Sequence, residues 1–217
     1  GGFYQSTDNG TTFTDLTNNM AISQFYKISV AAQNSGNVVG GLQDNGGFAF
    51  SDNSWKVYHG ADGMDNAVDK SNPNTYHGFI QYGNALYTST DGGLTRNGGI
   101  GAPDAERPNG TNGGEWVTPL VSNSQGELYA GYSKLYKLVN NSWEATSTFF
   151  FTDDIDHITI DPSDDNNIFI AQGGGLFKST DGGTTITNVT YNGGTINGME
   201  VNPFDSNTIY IVTNSSV

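Results

Sequence analysis

The chain has 217 residues, with 22 acidic against 8 basic side chains, a net charge of −14 and no cysteine. That balance repels nucleic-acid phosphates and anionic lipid headgroups, and the missing thiols exclude disulfides and cysteine chemistry. Thirty glycines, 14% charged residues and 12% aromatic residues describe a folded, turn-rich, all-β protein, too apolar for a disordered one.

Taken in order, Gly2-Phe3-Tyr4-Gln5 and the residues after Phe13 read as one hairpin, half of a four-stranded unit over 1–16. Strand signals at 24–30, 38–43, 47–50 and 55–58 make a complete unit over 24–58, with Ser51-Asp52-Asn53-Ser54 as a decayed turn motif. The next unit, 65–98, has strands at 65–69, 75–80 and 85–88. The polar, Gly/Pro/Asn-rich stretch 97–115 then reads as an insertion that replaces or extends the fourth strand. Strands at 116–121, 127–132 and 134–138, with a return strand over 143–151, make the unit 116–151. A fourth unit spans 156–190, and 195–213 supplies a closing half-unit. No apolar run reaches the roughly 20 residues that span a bilayer, so no membrane insertion is expected. There is no signal-peptide pattern, and a chain opening on Gly1-Gly2 reads as a processed or excised piece of a longer protein.

One octapeptide organises these units. Ser6-Thr7-Asp8-Asn9-Gly10-Thr11-Thr12-Phe13 returns as Ser89-Thr90-Asp91-Gly92-Gly93-Leu94-Thr95 and as Ser179-Thr180-Asp181-Gly182-Gly183-Thr184-Thr185-Ile186. Each copy follows a short aromatic-bearing strand. The pattern is a hairpin in which the carboxylates of Asp8, Asp91 and Asp181 fold back onto turn N–H groups. Gly10, Gly93 and Gly183 supply positive φ, and Ser6, Ser89, Ser179, Thr12, Thr95 and Thr185 bond nearby backbone. The serines lie 83 and 90 residues apart, two periods each of about 40–45 residues, the length of a four-stranded propeller blade. One blade cannot bury both its faces, so blades stack around an axis. The opening and closing halves either join into a shared fifth blade, closing a ring, or bound an arc of a larger propeller.

These residues resemble the Asp-box (BNR-like) repeats of sialidases, xyloglucanases, sortilin-like domains and secreted bacterial propellers. Gly41-Leu42-Gln43-Asp44-Asn45-Gly46, Gly60-Ala61-Asp62-Gly63-Met64-Asp65 and Trp116-Val117-Thr118-Pro119 are similar to segments of large surface proteins of Bacteroidetes-type bacteria. The resemblance implies an extracellular or cell-surface location, export by the type IX secretion machinery, and glycan or protein as partner. It also implies that the three-arginine clamp of sialidases cannot be built from Arg96 and Arg107 alone.

Ligand-binding candidates sit on the loops that enter the innermost strands or join the second strand to the third: Gln43, Asp44, Asn45, His59, Asp62, Asp65, Gln81 and Tyr82. Carboxylates, amides, an imidazole and an aromatic ring suit a polyol or carbohydrate. The competing reading is that Asp44, Asn45 and Asp62 only bond turn backbone. A xyloglucanase-like hydrolase would draw its two carboxylates from Asp44, Asp62, Asp65 and Glu115. No catalytic residue is assigned and no metal centre is expected. Calcium is the one ion considered, at Asp161, Asp164 and Asp165, whose spacing is not that of an EF-hand. His59, His77 and His157 lack ligand spacing.

Overall fold

The computed structural model describes residues 3–18, 23–110 and 112–214. Gly1 and Gly2 of the opening hairpin and Thr111 of the expected insertion lie outside the described residues. Strands β1 (Tyr4–Gln5) and β2 (Thr14–Asp15) form a two-stranded hairpin. Sheet I follows as β3 (Phe25–Val30), β4 (Val38–Leu42), β5 (Gly46–Ser51) and β6 (Ser54–His59). Sheet II is β7 (Gly63–Val68), β8 (Tyr76–Ile80), β9 (Ala85–Ser89) and β10 (Asn97–Gly101). Sheet III is β11 (Leu120–Ser122), β12 (Leu128–Gly131), β13 (Leu135–Val139) and β14 (Ser142–Ala145). Sheet IV is β15 (His157–Ile160), β16 (Ile168–Gln172), β17 (Gly175–Ser179) and β18 (Thr187–Val189). A last pair, β19 (Ile196–Val201) and β20 (Ile209–Thr213), stands alone.

Each four-stranded sheet is an antiparallel meander whose first strand packs on the first strand of the next, β3 on β7, β7 on β11, β11 on β15 and β15 on β19. The core therefore lies between sheets. Val39, Ala49, Tyr58, Val68 and Tyr76 fill the first gap, and Met64, Phe79, Leu86, Leu120, Tyr132 and Trp143 the second. Leu135, Phe151, Ile155, Ile158 and Ile170 fill the third. Close approach of β4 and β7 needs glycine, because a Cβ on Gly41 would overlap the Met64 carbonyl oxygen. The chain is an all-β propeller arc of four-stranded antiparallel sheets. Its two end pairs remain separate sheets among the described residues, so they do not merge into the shared blade that would close a five-bladed ring.

Three local expectations are corrected. The stretch 97–115 is not wholly an insertion, since Asn97–Gly101 is the fourth strand of sheet II. Its glycines hide the strand pattern, and Gly99 is small because the Tyr87 ring lies against it. The return strand of sheet III ends at Ala145; beyond it Phe149 and Phe151 turn inward and pack their rings together 4.9 Å apart. Ser51-Asp52-Asn53-Ser54 is a two-residue hairpin, with Asp52 and Asn53 both at positive φ, 49° and 58°.

Candidate functional site

The meanders sort the loops into two ends. At one end lie the turns after first strands and the Ser-x-Asp-x-Gly-x-Thr hairpins, which join the third strand to the fourth in sheets II and IV. There Ser89 Oγ accepts from the Gly93 N–H (2.9 Å) and donates to Asp91 Oδ1 (2.8 Å). Asp91 accepts from the Thr95 N–H and hydroxyl at 2.9 and 2.6 Å. Asp8 and Asp181 repeat the arrangement with Thr12 and Thr185. These bonds hold the Asp8 and Asp91 carboxyls at about 2. The second and third hairpins also dock on the first turn of their own sheets, Gly92 N–H on the Asn74 carbonyl and Gly182 N–H on that of Asn166.

The other end carries the candidate ligand residues, and the structure divides them. Asp44, at φ 61°, donates its N–H to Asp62 Oδ1 (2.7 Å), latching the β4–β5 turn to the loop entering β7. Asn45 Nδ2 donates to the Gln43 carbonyl (2.8 Å), and the Gln43 N–H donates to the Gln24 carbonyl (3.0 Å). Gln43, Asp44, Asn45 and Asp62 therefore stand together, with Asp44 and Asn45 exposed. Gln81 and Tyr82 lie on the β8–β9 turn, where the Tyr82 ring meets Trp116 edge-on at 5.0 Å. Tyr26, just inside β3, also meets Trp116 edge-on, at 6.3 Å. The Gln43–Gln24 bond ties the first group to the chain two residues before Tyr26.

His59 and Asp65 join neither group. His59 is buried, its ring stacked on Tyr87 at 5.4 Å with Nδ1 2.9 Å from the Gly60 carbonyl. Burial, and then the Arg96 charge, lower its pKa. Asp65 lines an axial cavity of about 300 Å³ with Ser29, Lys70, Ser122 and Glu200. It accepts from the N–H groups of Asn66 (2.8 Å) and Leu120 (3.1 Å). Burial raises its carboxyl to about 6, against the opposing pull of Lys27.

Sequence reasoning missed Tyr26, Trp116 as a ring platform, and an acidic cluster beside it. Glu115, Asp153 and Asp154 each bring one oxygen within 4.8 Å of the others. Burial, followed by the charges of Glu106 and Glu115, raises Asp154 to about 6. Such a cluster can keep a proton at near-neutral pH or accept a divalent cation. The available signal was Glu115-Trp116 ending a long polar connector. That connector is pinned by Gly113 and Gly114, whose N–H groups donate to Asn84 Oδ1 (3.1 Å) and the Tyr82 carbonyl (2.9 Å). The acidic residues considered for calcium are engaged elsewhere. Asp161 accepts from Ser163, Asp164 from Asn166, and Asp165 from the Ser124 N–H and hydroxyl.

This arrangement defines a class: a propeller arc whose loop end presents an aromatic platform flanked by carboxylates and amides. No family model and no curated protein matches the chain. Among solved structures it is similar to the GH74 xyloglucanase of Xanthomonas campestris, with 16% identity and a TM-score of 0.66 over 93% of this chain and 38% of that one. It is also similar to an ancestral GH74 enzyme, with 17% identity and a TM-score of 0.62 over 83% of this chain and 26% of that one. YCF48 from Cyanidioschyzon merolae matches with 14% identity and a TM-score of 0.58, over 96% of this chain and 72% of that one. The chain thus spans well under half the length of the GH74 enzymes. At these identities the likeness establishes the propeller fold.

Proposed function

We propose that the chain is part of a secreted or cell-surface Asp-box propeller and serves as a non-catalytic module that binds extracellular glycan or protein. The observation that carries this reading is the set of three rings, Tyr26, Trp116 and Tyr82, at the same loop end as the Asp44–Asp62 latch. Partly exposed rings pack on sugars or on apolar side chains, and the exposed Asp44 and Asn45 offer hydrogen bonds to hydroxyls or amides. The motif resemblance supports an origin in Bacteroidetes-type bacteria and passage through the type IX secretion machinery. A YCF48 structure bound to D1 peptide, similar to this chain at 13% identity, keeps protein recognition beside glycan. The reading needs no cofactor; a calcium ion, where one serves, belongs at Glu115, Asp153 and Asp154. The net charge of −14 argues against nucleic acid as a partner.

A second reading, a glycoside hydrolase, is favoured by Asp154, a carboxyl held at about 6 beside two others and next to the rings. A glycan array run with reducing-sugar release from xyloglucan separates the two. Binding without release, lost in Trp116→Ala and kept in Asp154→Asn, is the expected result. Release of reducing ends that disappears in Asp154→Asn would replace the module by the hydrolase.

A further inference from the structure

In sheets II and IV the Ser-x-Asp-x-Gly-x-Thr hairpin joins the third strand to the fourth, and the first turn of the same sheet receives it. The hairpin of β1 and β2 has no such sheet around it. Among the described residues β1 pairs with β2 alone, and β20 pairs with β19 alone. By their places around the octapeptide, β1 and β2 are third and fourth strands, as β9 and β10 are, or β17 and β18. β19 and β20 are first and second strands, since β15 packs on β19 as β11 packs on β15. Each pair is the half that the other lacks.

The turns carry this match down to single atoms. In the β7–β8 turn the N–H groups of Asp69, Asn72 and Thr75 donate to the carbonyls of Thr75, Asp69 and Asn72. Asp161, Asp164 and Asn167 repeat the three bonds in the β15–β16 turn, and Asn202, Asp205 and Thr208 repeat them in the β19–β20 turn. Asn207 therefore stands where Asn74 and Asn166 stand, the two residues whose carbonyls receive the hairpin N–H groups of Gly92 and Gly182. In the first hairpin Asn9 holds the place of Gly92 and Gly182, at φ 58° against their 71° and 68°. Among the described residues neither the Asn9 N–H nor the Asn207 carbonyl has a partner, and both residues are exposed.

Burial shows the same vacancy. Phe13 is 64% exposed, whereas Ile186, at its place in the third hairpin, is 7% exposed and packs in the cluster of Leu135 from the preceding sheet. A Cβ on Gly93 or Gly183 would overlap Ala49 or Leu135 of the sheet before, but a Cβ on Gly10 would meet nothing within 4 Å. The flanking faces are bare to match. Met199 and Ile211 pack toward sheet IV, which leaves Tyr210 and Val212 exposed on the other side of the last pair. Ile28, Val30, Trp55 and Val57 are exposed on sheet I.

We propose that the arc docks head to tail on a second copy of this chain, the β1–β2 hairpin of one copy entering as third and fourth strands of the sheet that β19 and β20 of the other begin. The Asn9 N–H then meets the Asn207 carbonyl, and Phe13 and Gly10 press on sheet IV of the other copy. β19 comes to lie against β3 of the next copy, which continues the packing of each first strand on the next and covers the apolar face of sheet I. The contact is heterologous, one surface on each copy. Its register follows from the complete sheets. Tyr76 lies opposite Ser89 and Ile168 opposite Ser179, which sets Ile209 opposite Ser6 and Tyr210 opposite Gln5.

The chain has no cysteine, so introduced thiols report this register directly. The test mixes 15N-labelled Gln5→Cys with unlabelled Tyr210→Cys under oxidising conditions at about 1 M salt, where like charges reach only about 3 Å. A disulfide-linked dimer of one labelled and one unlabelled chain is expected. Gln5→Cys mixed with Val212→Cys, two residues out of register, should give little, because a disulfide spans about 4.4–6.8 Å between Cα atoms. In sedimentation at the same salt, Phe13→Asp should weaken self-association by about tenfold or more while leaving the unfolding curve of this exposed position unchanged. Equal yields from the two mixtures, or disulfides only between like variants, overturn the proposal. Undiminished association of Phe13→Asp overturns it as well. The double variant Gln5→Cys/Tyr210→Cys decides between one chain and two: linked copies support the docking, and a disulfide closed within single chains replaces it by a ring.

Discussion

At the scale of single residues, the carboxylates divide by what their surroundings do to a proton, and that division sets how the fold responds to pH. Asp8 and Asp91 are held at about 2, chiefly by the Thr12 and Thr95 hydroxyls and N–H groups, against an ordinary 3.8. A depressed acid stabilises the fold above its ordinary value, and that contribution is lost as pH falls toward the folded value. Asp65 and Asp154 go the other way, to about 6, so their contribution is intact below 3.8 and erodes as pH rises through 6. His77, lowered to about 4 by burial, loses stability as pH falls from its ordinary 6.5. Between neutrality and pH 4 the raised acids and the buried histidine oppose each other; below pH 4 the losses at Asp8 and Asp91 have no counterweight. Thermal melts at constant ionic strength should show a shallow region from about pH 7 to 4 and a steep fall toward 2. A melting temperature that declines evenly from neutrality would contradict this assignment. The aspartates of the hairpins were legible in sequence because every partner lies within four residues. His59, Tyr82 and Trp116 were not, because what surrounds each ring is supplied by strands distant in the chain.

At the scale of elements, strands announced themselves by alternating aromatic and β-branched residues, and sheets I and IV appear much where that pattern put them. The pattern failed where glycine carries a strand. Asn97–Gly101 has one side chain larger than asparagine, Ile100, so no periodicity marks it, yet β9 pairs with it at Asn97, Ile100 and Gly101, across a register shift at the two glycines between. Glycine in these strands has two physical roles, which one pair of substitutions separates. At Gly41 the missing Cβ lets β4 lie against the backbone of β7, with the Gly63 and Met64 carbonyls in the space a methyl would need. At Gly98 a methyl meets nothing. Gly41→Ala is expected to cost about 1–3 kcal/mol or more in urea unfolding, the usual range for overpacking a tight contact. Gly98→Ala should stay within about 0.5 kcal/mol of the parent, as exposed substitutions do. Equal effects at both positions would mean that sheets I and II do not meet through backbone at β4 and β7.

At the scale of the whole molecule, the described residues of the arc leave its first sheet uncovered on one side. Register aligns Ile28, Gly40, Phe48 and Val57 in one row, and Val30, Val38, Phe50 and Trp55 in the next. Phe25 folds over Gly40 beside them. Ile28, Val30, Trp55 and Val57 are each at least half exposed, whereas Val39 and Ala49 on the opposite face are fully buried against sheet II. The two faces of sheet I are thus similarly apolar, although only one is packed. A contiguous apolar face of this kind drives association, while a net charge of −14 opposes it. The two forces differ in range and in their response to salt. Screening shortens the reach of the charge from about 10 Å at 0.1 M salt to about 3 Å at 1 M and leaves the apolar attraction in place. The 217-residue chain should therefore gain weight-average mass in sedimentation equilibrium as salt rises, and Ile28→Lys with Val57→Lys should abolish the gain. Neither side chain belongs to the buried core between sheets I and II, although Ile28 also borders the Asp65 cavity, so the double variant should keep a melting temperature close to the parent's. Association that weakens with added salt would assign it to charge pairs elsewhere on the surface and remove this face from the account.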